Sequence, residues 1–375
     1  MPEDPKQTRV LVTGGYGFIG SHFVRWLLTH HPDYFVVNMD KLSYAADPEY
    51  LADIMSTPAY RARYCFVEGD ICDIQACRRA LFATDTPSAE PVEMIFNFAA
   101  ESHVDRGLCA PLVFAQNNTI GTLTLLEACR ENPTVMKRLR RFVHISTDEV
   151  YGSSSCESSA QEVAVFREAT TVLEPRNPYS ASKAAAEMFL SAYHKTFGLP
   201  IVITRSSNNY GPCQHPEKFV PVCILNALQG KQIPIFGSGL QMRDWIFVED
   251  NCEAIDIVSQ LGVLGHRYNI CSGRELTNLD MAKGITQVLG LDESHLVHVA
   301  DRLGHDFRYS MDNSQTRGLG WQCRTTLQEG LRRTIEWYRA RYLQKGSTPA
   351  PSPVPSEGQS CPLVCEETLA SGGAH

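Results

Sequence analysis

Short apolar runs separated by longer, helix-patterned stretches set the rhythm of this chain. Arg9-Val10-Leu11-Val12, Phe35-Val36-Val37-Asn38-Met39 and Arg63-Tyr64-Cys65-Phe66-Val67 open the series. Met94-Ile95-Phe96-Asn97-Phe98, Phe142-Val143-His144-Ile145-Ser146 and Ile201-Val202-Ile203-Thr204 continue it. Runs of this length, rich in β-branched and aromatic side chains, predict buried strands. Phe18 to His30, between the first two, predicts a helix. Alternation of this kind implies right-handed crossovers and a parallel sheet covered by helices on both faces. Residues 212–250 mix Pro, Gly and short apolar runs, which predicts a second, less regular region. Residues 327–343 read again as a helix, with Trp337 and Tyr338 near its end.

Composition narrows the function classes. The chain has 375 residues, 43% hydrophobic and 20% charged, so one large domain plus a smaller one is expected. A net charge of -8 argues against a nucleic-acid partner. No apolar run approaches membrane-spanning length, and Met1-Pro2-Glu3-Asp4-Pro5-Lys6 lacks a secretory h-region, so a cytoplasmic protein without membrane attachment is expected. The thirteen cysteines are scattered through apolar segments. No C-x-x-C pair occurs, and Cys361 and Cys365 are four apart near the end, so reduced, structural thiols and no metal site are expected. From Gly346 onward Pro and Ser dominate, then Gly, a composition that cannot bury a core and predicts a disordered tail over 346–375.

The first strand runs into Thr13-Gly14-Gly15-Tyr16-Gly17-Phe18-Ile19-Gly20. Glycines at 14, 17 and 20 allow a tight turn and a close backbone approach to a pyrophosphate at a helix N-terminus. A glycine triplet alone also suits any sharp strand-to-helix turn. Here Asp40 ends the second strand, about twenty residues past Gly20, where an acid accepts hydrogen bonds from ribose hydroxyls. Its charge would repel a 2′-phosphate, so NAD is favoured over NADP. Asp70-Ile71, after the third strand, is a candidate adenine contact. The fold this predicts is α/β, a Rossmann-type doubly wound parallel sheet with a smaller C-terminal α/β substrate-binding region. A flexible 1–8, a dinucleotide domain over 9–211 plus part of 240–275, and a mainly substrate-binding 212–343 are the expected divisions.

Candidate chemistry sits at Thr147-Asp148-Glu149, just past the fifth strand, and at Tyr179 and Lys183. The last two share one face of a helix that begins near Asn177-Pro178 and stops at Gly198. A free phenol, with a pKa of about 10, is a poor base. A neighbouring ammonium lowers that value, so the pair can take a hydroxyl proton while hydride leaves the same carbon. A Tyr and a Lys four apart also occur by chance on many surface helices, and two acids often share a solvated turn. A parallel strand end is, however, where ligands bind in such sheets.

These motifs resemble the extended short-chain dehydrogenases/reductases, and more narrowly the dTDP-glucose 4,6-dehydratases, over about residues 9 to 343. The resemblance rests on Thr13-Gly14-Gly15, Asp40-Lys41-Leu42, Ala99-Ala100-Glu101-Ser102-His103-Val104-Asp105-Arg106 and Ser146-Thr147-Asp148-Glu149-Val150-Tyr151-Gly152. It continues through Tyr179-Ser180-Ala181-Ser182-Lys183, Ser207-Asn208-Asn209-Tyr210-Gly211-Pro212, Pro216-Glu217-Lys218, Arg243-Asp244-Trp245 and Gly304-His305-Asp306. It implies that carbon 4 of a nucleotide-linked glucose is oxidised, water is lost across carbons 5 and 6, and hydride returns to carbon 6. Tyr179 would be the base for the 4-hydroxyl, with Thr147 orienting it. Glu149 would remove and return the carbon-5 proton, and protonated Asp148 would release the 6-hydroxyl as water. Two adjacent carboxyls with opposite duties need surroundings that push their pKa values apart.

The resemblance also implies contacts. For NAD these are Gly14, Gly17, Phe18, Ile19, Gly20, Asp40, Lys41, Leu42, Ser43, Asp70, Ile71, Phe98, Ala99, Ala100, Asn117, Tyr179, Lys183 and Asn209. For dTDP-glucose or UDP-glucose they are Ser102, Thr147, Asn208, Lys218, Phe219, Pro234, Ile235, Phe236, Arg243, Asn269, Asp301, Arg302 and His305, with Arg243, Arg302 and His305 on the diphosphate. A homodimer joined through helices near Pro111 to Arg130 and Tyr179 to Phe197 is expected, although Leu123, Leu126, Met188, Phe189 and Tyr193 there also suit ordinary core packing. Three positions depart from the family pattern: Gly107, Leu303 and Arg205 within Thr204-Arg205-Ser206. The last two lie close in sequence to nucleotide contacts, which leaves thymine or uracil open. A UDP-sugar 4-epimerase or UDP-glucuronate decarboxylase is the alternative enzyme, and a non-catalytic NAD or sugar-nucleotide sensor the alternative class. Epimerases are expected to lack the acid pair and decarboxylases to read Thr-Ser-Glu, so Asp148 is the residue that favours a dehydratase.

Overall fold

Seven strands, all parallel, form the floor on which the rest is arranged. They are β1 (Thr8–Thr13), β2 (Tyr34–Asp40), β3 (Tyr64–Glu68), β4 (Met94–Asn97), β5 (Arg141–Thr147), β6 (Ile201–Ser206) and β10 (Arg267–Ile270), in the order β10-β6-β5-β4-β1-β2-β3. The strand order reverses between β1 and β4, and a crevice opens there at the carboxyl ends of the strands. This is the predicted doubly wound sheet. The computed structural model describes residues 7–83, 90–103, 109–154, 165–301 and 306–343. The predicted tail over 346–375, Gly107, Leu303, Arg302 and His305 lie outside the described residues.

Period-two alternation sends successive strand residues to opposite faces. Leu11, Val37, Ile95 and Phe142 face one apolar layer, packed by α2 (Ile74–Phe82), by α3, and by α4 (Pro178–Phe197) through Leu190. The α3 rod is the consecutive Pro111–Phe114, Ala115–Ile120 and Gly121–Arg130, its middle piece wound as a π-helix. Val10, Val12, Val36 and Phe96 face the other layer, packed by α1 (Phe18–His30) and α6 (Val248–Leu261).

The region expected to be less regular from 212 onward is ordered. β7 (Asn208–Tyr210) leads into it, and it holds α5 (Phe219–Leu228), β8 (Ile233–Phe236) and β9 (Met242–Phe247). It continues with β11 (Glu275–Thr277), α7 (Asn278–Leu289), β12 (Leu296–Val299) and α8 (Leu327–Tyr338). Sequence pattern hid α5 because Phe219-Val220-Pro221-Val222-Cys223-Ile224-Leu225 is apolar all round, as a fully buried helix is, and Pro221 falls in the first turn, where proline is tolerated. These elements share a separate apolar cluster that includes Ile224, Ile235, Phe247, Ile285 and Tyr338. Nine described cysteines are free, and Cys109 is disulfide-bonded. Pairing depends on distance in the fold, which sequence spacing does not give. Among the described residues no helix is long and apolar enough to cross a membrane.

One buried ion pair ties α4 to the sheet. Arg205 on β6 donates from Nε to Glu187 Oε1 at 3.0 Å and from a terminal nitrogen to Oε2 at 2.5 Å. Ser146 Oγ donates to Glu187 Oε1 at 2.7 Å, and the guanidinium lies 4.5 Å from the Tyr151 ring centroid. The side chains are 3% and 0% exposed, so removing one partner strands a charge in the interior. Arg205→Met should therefore lower unfolding free energy by about 3–5 kcal/mol in urea titrations. Pairing it with Glu187→Leu should recover much of that loss; a single-variant cost below about 1 kcal/mol would refute the account.

Candidate active site

The crevice is a cavity of ≈ 310 Å³ that runs from the glycine turn to the end of β5. At one end, Gly14 adopts φ +70°, and a side chain there would meet Ala99 N at 2.8 Å. A Cβ on Gly20 would sit 2.1 Å from Gly14 O, so helix and turn approach as only glycine permits. Gly17 is the N-cap of α1 and offers no side-chain cap, and the first turn carries no acid. The positive end of α1 is thus left for an anion. Asp40, 6% exposed, accepts from Tyr16 N at 3.0 Å and Leu42 N at 2.9 Å. Those bonds hold its carboxylate in place, although burial raises its pKa above the usual carboxylate value.

Of the residues expected to contact cofactor, Gly14, Gly17, Phe18, Ile19, Gly20, Asp40, Lys41, Ser43, Asp70, Ile71, Phe98, Ala99, Ala100, Asn117, Tyr179, Lys183 and Asn209 all line this cavity. Leu42 does not: its side chain is exposed and only its amide serves the site, through Asp40. Lys41 Nζ donates to Asn117 Oδ1 at 2.6 Å and lies 3.4 Å from Asp70 Oδ2, which joins the loops after β2 and β3 to the π segment of α3.

At the other end, Thr147, Asp148, Glu149, Tyr179 and Lys183 face the same cavity. Asp148 is 3% exposed, and its pKa is pushed up to about 8 by burial and by the charge of Glu149. Thr147 Oγ1 donates to its Oδ1 at 3.2 Å, while Oδ2 is buried with no partner among the described residues. Glu149 is also raised by burial, but the Asn177 amide donates to its Oε2 at 3.0 Å and favours the charged form. The acid whose second oxygen lacks a donor keeps the proton, and the one with a donor keeps the charge.

Tyr179 behaves differently from the sequence-based expectation. Burial and the Glu149 and Asp148 charges raise its pKa, and only the Thr147 hydroxyl opposes them. The Lys183 ammonium does not lower it. It donates to Ile145 O at 2.5 Å, and burial brings its own pKa down to about 8.

The expected substrate side divides. Ser102, Thr147, Asn208 and Lys218 line the cavity, and Lys218 Nζ donates to Ser102 O at 2.7 Å. Asn208 keeps a buried amide oxygen unpartnered among the described residues. Arg243 stands outside the lining and donates to the carbonyls of Met242, Asp306 and Phe307, over the Tyr309 ring. Its charge still reaches Asp148 and Glu149 and lowers both. Phe219 packs against Trp245, and Pro234, Ile235 and Phe236 pair with β12. Asp301 accepts from Gln241, and Asn269 is fully engaged with Tyr151, Phe166 and Asp312. None of these lines the cavity.

Sequence reasoning gave no role to Glu217 or Asn177. Glu217 Oε1 accepts from Tyr44 at 2.9 Å, and its Oε2 lies 3.5 Å from His215 Nδ1, at the cavity wall. Its only signal was a place inside Pro216-Glu217-Lys218. Among the described residues no cluster of His, Cys, Asp and Glu could hold a metal ion.

Asp148 binds its proton far more tightly folded than unfolded. Its burial therefore costs stability that grows as pH rises from about 4 to about 8 and then levels off. The stability advantage of Asp148→Asn over the native chain should widen across that window, by at most about 1.4 kcal/mol per pH unit. Thermal unfolding at several pH values measures this; a constant difference would refute the burial argument.

Known proteins share this architecture at length. A family model described as GDP-mannose 4,6 dehydratase matches residues 11–334. The chain is 44% identical over 345 residues to a dTDP-glucose 4,6-dehydratase of Haemophilus influenzae, covering 88% of this chain and 97% of the relative. It is 40% identical over 334 residues to a trifunctional Arabidopsis thaliana protein whose first activity is UDP-glucose 4,6-dehydratase, covering 89% of this chain and 47% of that longer one. The crystal structure of a Streptomyces venezuelae dTDP-glucose 4,6-dehydratase with NAD bound superposes with a TM-score of 0.79 at 41% identity, covering 89% of this chain and 98% of that one. A UDP-glucose 4-epimerase from Thermotoga maritima follows the same fold at 0.76, with 29% identity and 89% and 99% coverage. Identity of 44% across 97% of the Haemophilus influenzae relative, against 29% for the epimerase, makes the placement: this chain belongs to the dTDP-glucose 4,6-dehydratase family.

Proposed function

We propose that this chain converts dTDP-glucose, with UDP-glucose as the competing nucleotide, to the 4-keto-6-deoxy sugar nucleotide and water. The observation that carries the reading is the acid pair. Asp148 holds a proton near neutral pH and presents a buried oxygen that no described residue occupies, next to a Glu149 whose charge is held by an amide. An epimerase has no use for that arrangement.

The uncapped N-terminus of α1 and the fixed Asp40 carboxylate fit a dinucleotide diphosphate and ribose, and the charge of Asp40 favours NAD over NADP. Bound there, NAD supplies a hydride acceptor for carbon 4 and a hydride donor for carbon 6. Thr147 orients the 4-hydroxyl, and Tyr179, as the phenolate, takes its proton. The ketone so formed acidifies carbon 5, whose proton passes to Glu149. Asp148 gives its proton to the 6-hydroxyl, which leaves as water, and Glu149 returns a proton to carbon 5. Ser102, Asn208 and Lys218 stand where they can hold the sugar nucleotide.

The protein is further inferred to be a cytoplasmic homodimer. Leu112 (83% exposed) on α3 and Met188 (53%) and Phe189 (40%) on α4 give two adjoining helices an uncovered apolar face.

Mass analysis and a carbonyl assay with dTDP-glucose and UDP-glucose side by side test the reaction. A 4-keto product from at least one is expected, and none from either would end the proposal. Asp148→Asn should slow water loss by roughly 10²–10⁴-fold while reduced nicotinamide still forms on mixing with substrate; equal loss of both steps would remove Asp148 from the acid role. Sedimentation should give twice the chain mass, and Leu112→Asp with Phe189→Asp should give the monomer.

A further inference from the structure

We propose that Asn177 is a positioning residue that locks the Glu149 carboxylate to the helix carrying Tyr179 and Lys183. The inference rests on the reading of Glu149 as the carbon-5 base. Asn177 is the N-cap of α4: its Oδ1 accepts from Ser180 N at 2.8 Å, and its own N–H reaches Ser180 Oγ at 3.2 Å, which closes a capping box. That job needs only an oxygen, and Ser, Thr or Asp performs it about as well. The amide nitrogen is left over, and it donates to Glu149 Oε2 at 3.0 Å. A backbone N–H can only donate, so the Ser180 bond fixes which end of the amide is oxygen and which end faces the carboxylate.

The two partners belong to different pieces of chain. Glu149 sits in the turn Asp148–Tyr151 after β5, whereas Tyr179 and Lys183 lie on the first turns of α4. The hydroxyl base and the carbon base must reach neighbouring carbons of one sugar ring, so the offset between turn and helix matters to a fraction of an ångström. Asn177 spans that offset with a single rigid amide. It provides the one direct hydrogen bond to the Glu149 carboxylate among the described residues. The other charged and titratable groups that face this carboxylate are Arg243 and Lys218, which favour its charge, and Asp148, Asp306, Tyr179 and Tyr309. Among good N-caps only asparagine meets both demands. A serine hydroxyl is too short to cap and also reach Glu149, and an aspartate would set a second carboxylate against the first.

Asn177→Ser separates the two roles, because it keeps the cap and removes the tether. It should unfold within a few degrees of the native enzyme and hold the KM for sugar nucleotide within about twofold. Its kcat should fall roughly 10-fold or more. Without the amide donor Glu149 holds its proton to higher pH, so the acidic limb of the kcat profile should move up by on the order of one pH unit. Deuterium uptake from heavy water at carbon 5 should slow, while formation of reduced nicotinamide on first mixing should not. Asn177→Ala should show the same kinetic change together with lost stability. An Asn177→Ser enzyme whose pH profile overlays the native one, or whose activity falls only in step with its melting temperature, would overturn the proposal. A native enzyme that turns over no nucleoside-diphosphate glucose would instead overturn the functional reading beneath it.

Discussion

Two carboxyl groups on consecutive residues, both sunk in one cavity, cannot both carry charge at neutral pH. Like charges a few ångströms apart in a medium of low polarity repel by several kcal/mol, and each has also lost its hydration. Much of the structure around Asp148 and Glu149 answers that constraint. Arg243, whose guanidinium is braced by three backbone carbonyls, places a fixed positive charge behind both acids. Asn177 gives Glu149 a donor, and nothing described gives Asp148 a second one. The asymmetry comes from neighbours contributed by β9, α4 and the segment around Asp306, so the pair is tuned only once the smaller cluster of elements has docked on the large sheet.

Rigidity behind the site has its own source. The Arg205–Glu187–Ser146 knot joins β6, α4 and the end of β5, the last two being the elements that carry Tyr179, Lys183 and Thr147. In sequence Arg205 stands near residues tied to nucleotide binding and looks able to change base preference. In the fold its side chain turns inward, 3% exposed, away from the cavity lining. A position that looks in sequence to bear on specificity therefore bears on where the helix carrying Tyr179 and Lys183 sits.

What could be read from the sequence follows a physical division. Strand runs, the glycine turn, Asp40 and the acid pair were legible because each depends on local pattern: period two, a turn only glycine can make, an acid at a strand end. The helix Phe219–Leu228 was not, because a helix buried on all sides has no amphipathic signature. Long side chains were the other gap. Arg243 and Asn269 sit in recognisable motifs, yet one braces a loop from behind and the other is spent on Tyr151, Phe166 and Asp312. Where such a side chain points depends on partners dozens of residues away. Asn177 hid for a related reason: half of its amide does an ordinary capping job, and the half that matters to Glu149 has no sequence signature.

The same constraint explains why the acids are neighbours at all. In the proposed elimination one proton would pass to Glu149 as carbon 5 gives it up and one would leave Asp148 as the 6-hydroxyl departs. Before the step Glu149 is charged and Asp148 neutral; afterwards the reverse holds. Across the elimination itself the pair carries a single negative charge, so that step does not place a dianion in the buried cavity. Each half of the transfer also eases the other, because neutralising Glu149 removes the charge that, after burial, does most to raise the Asp148 pKa. Tyr179 belongs to the same account. Burial, together with the charges of Glu149 and Asp148, raises its phenol, so the groups that set the acid pair also bear on the hydroxyl base. Adjacent placement thus turns a costly repulsion into the coupling that keeps proton gain and proton loss in step.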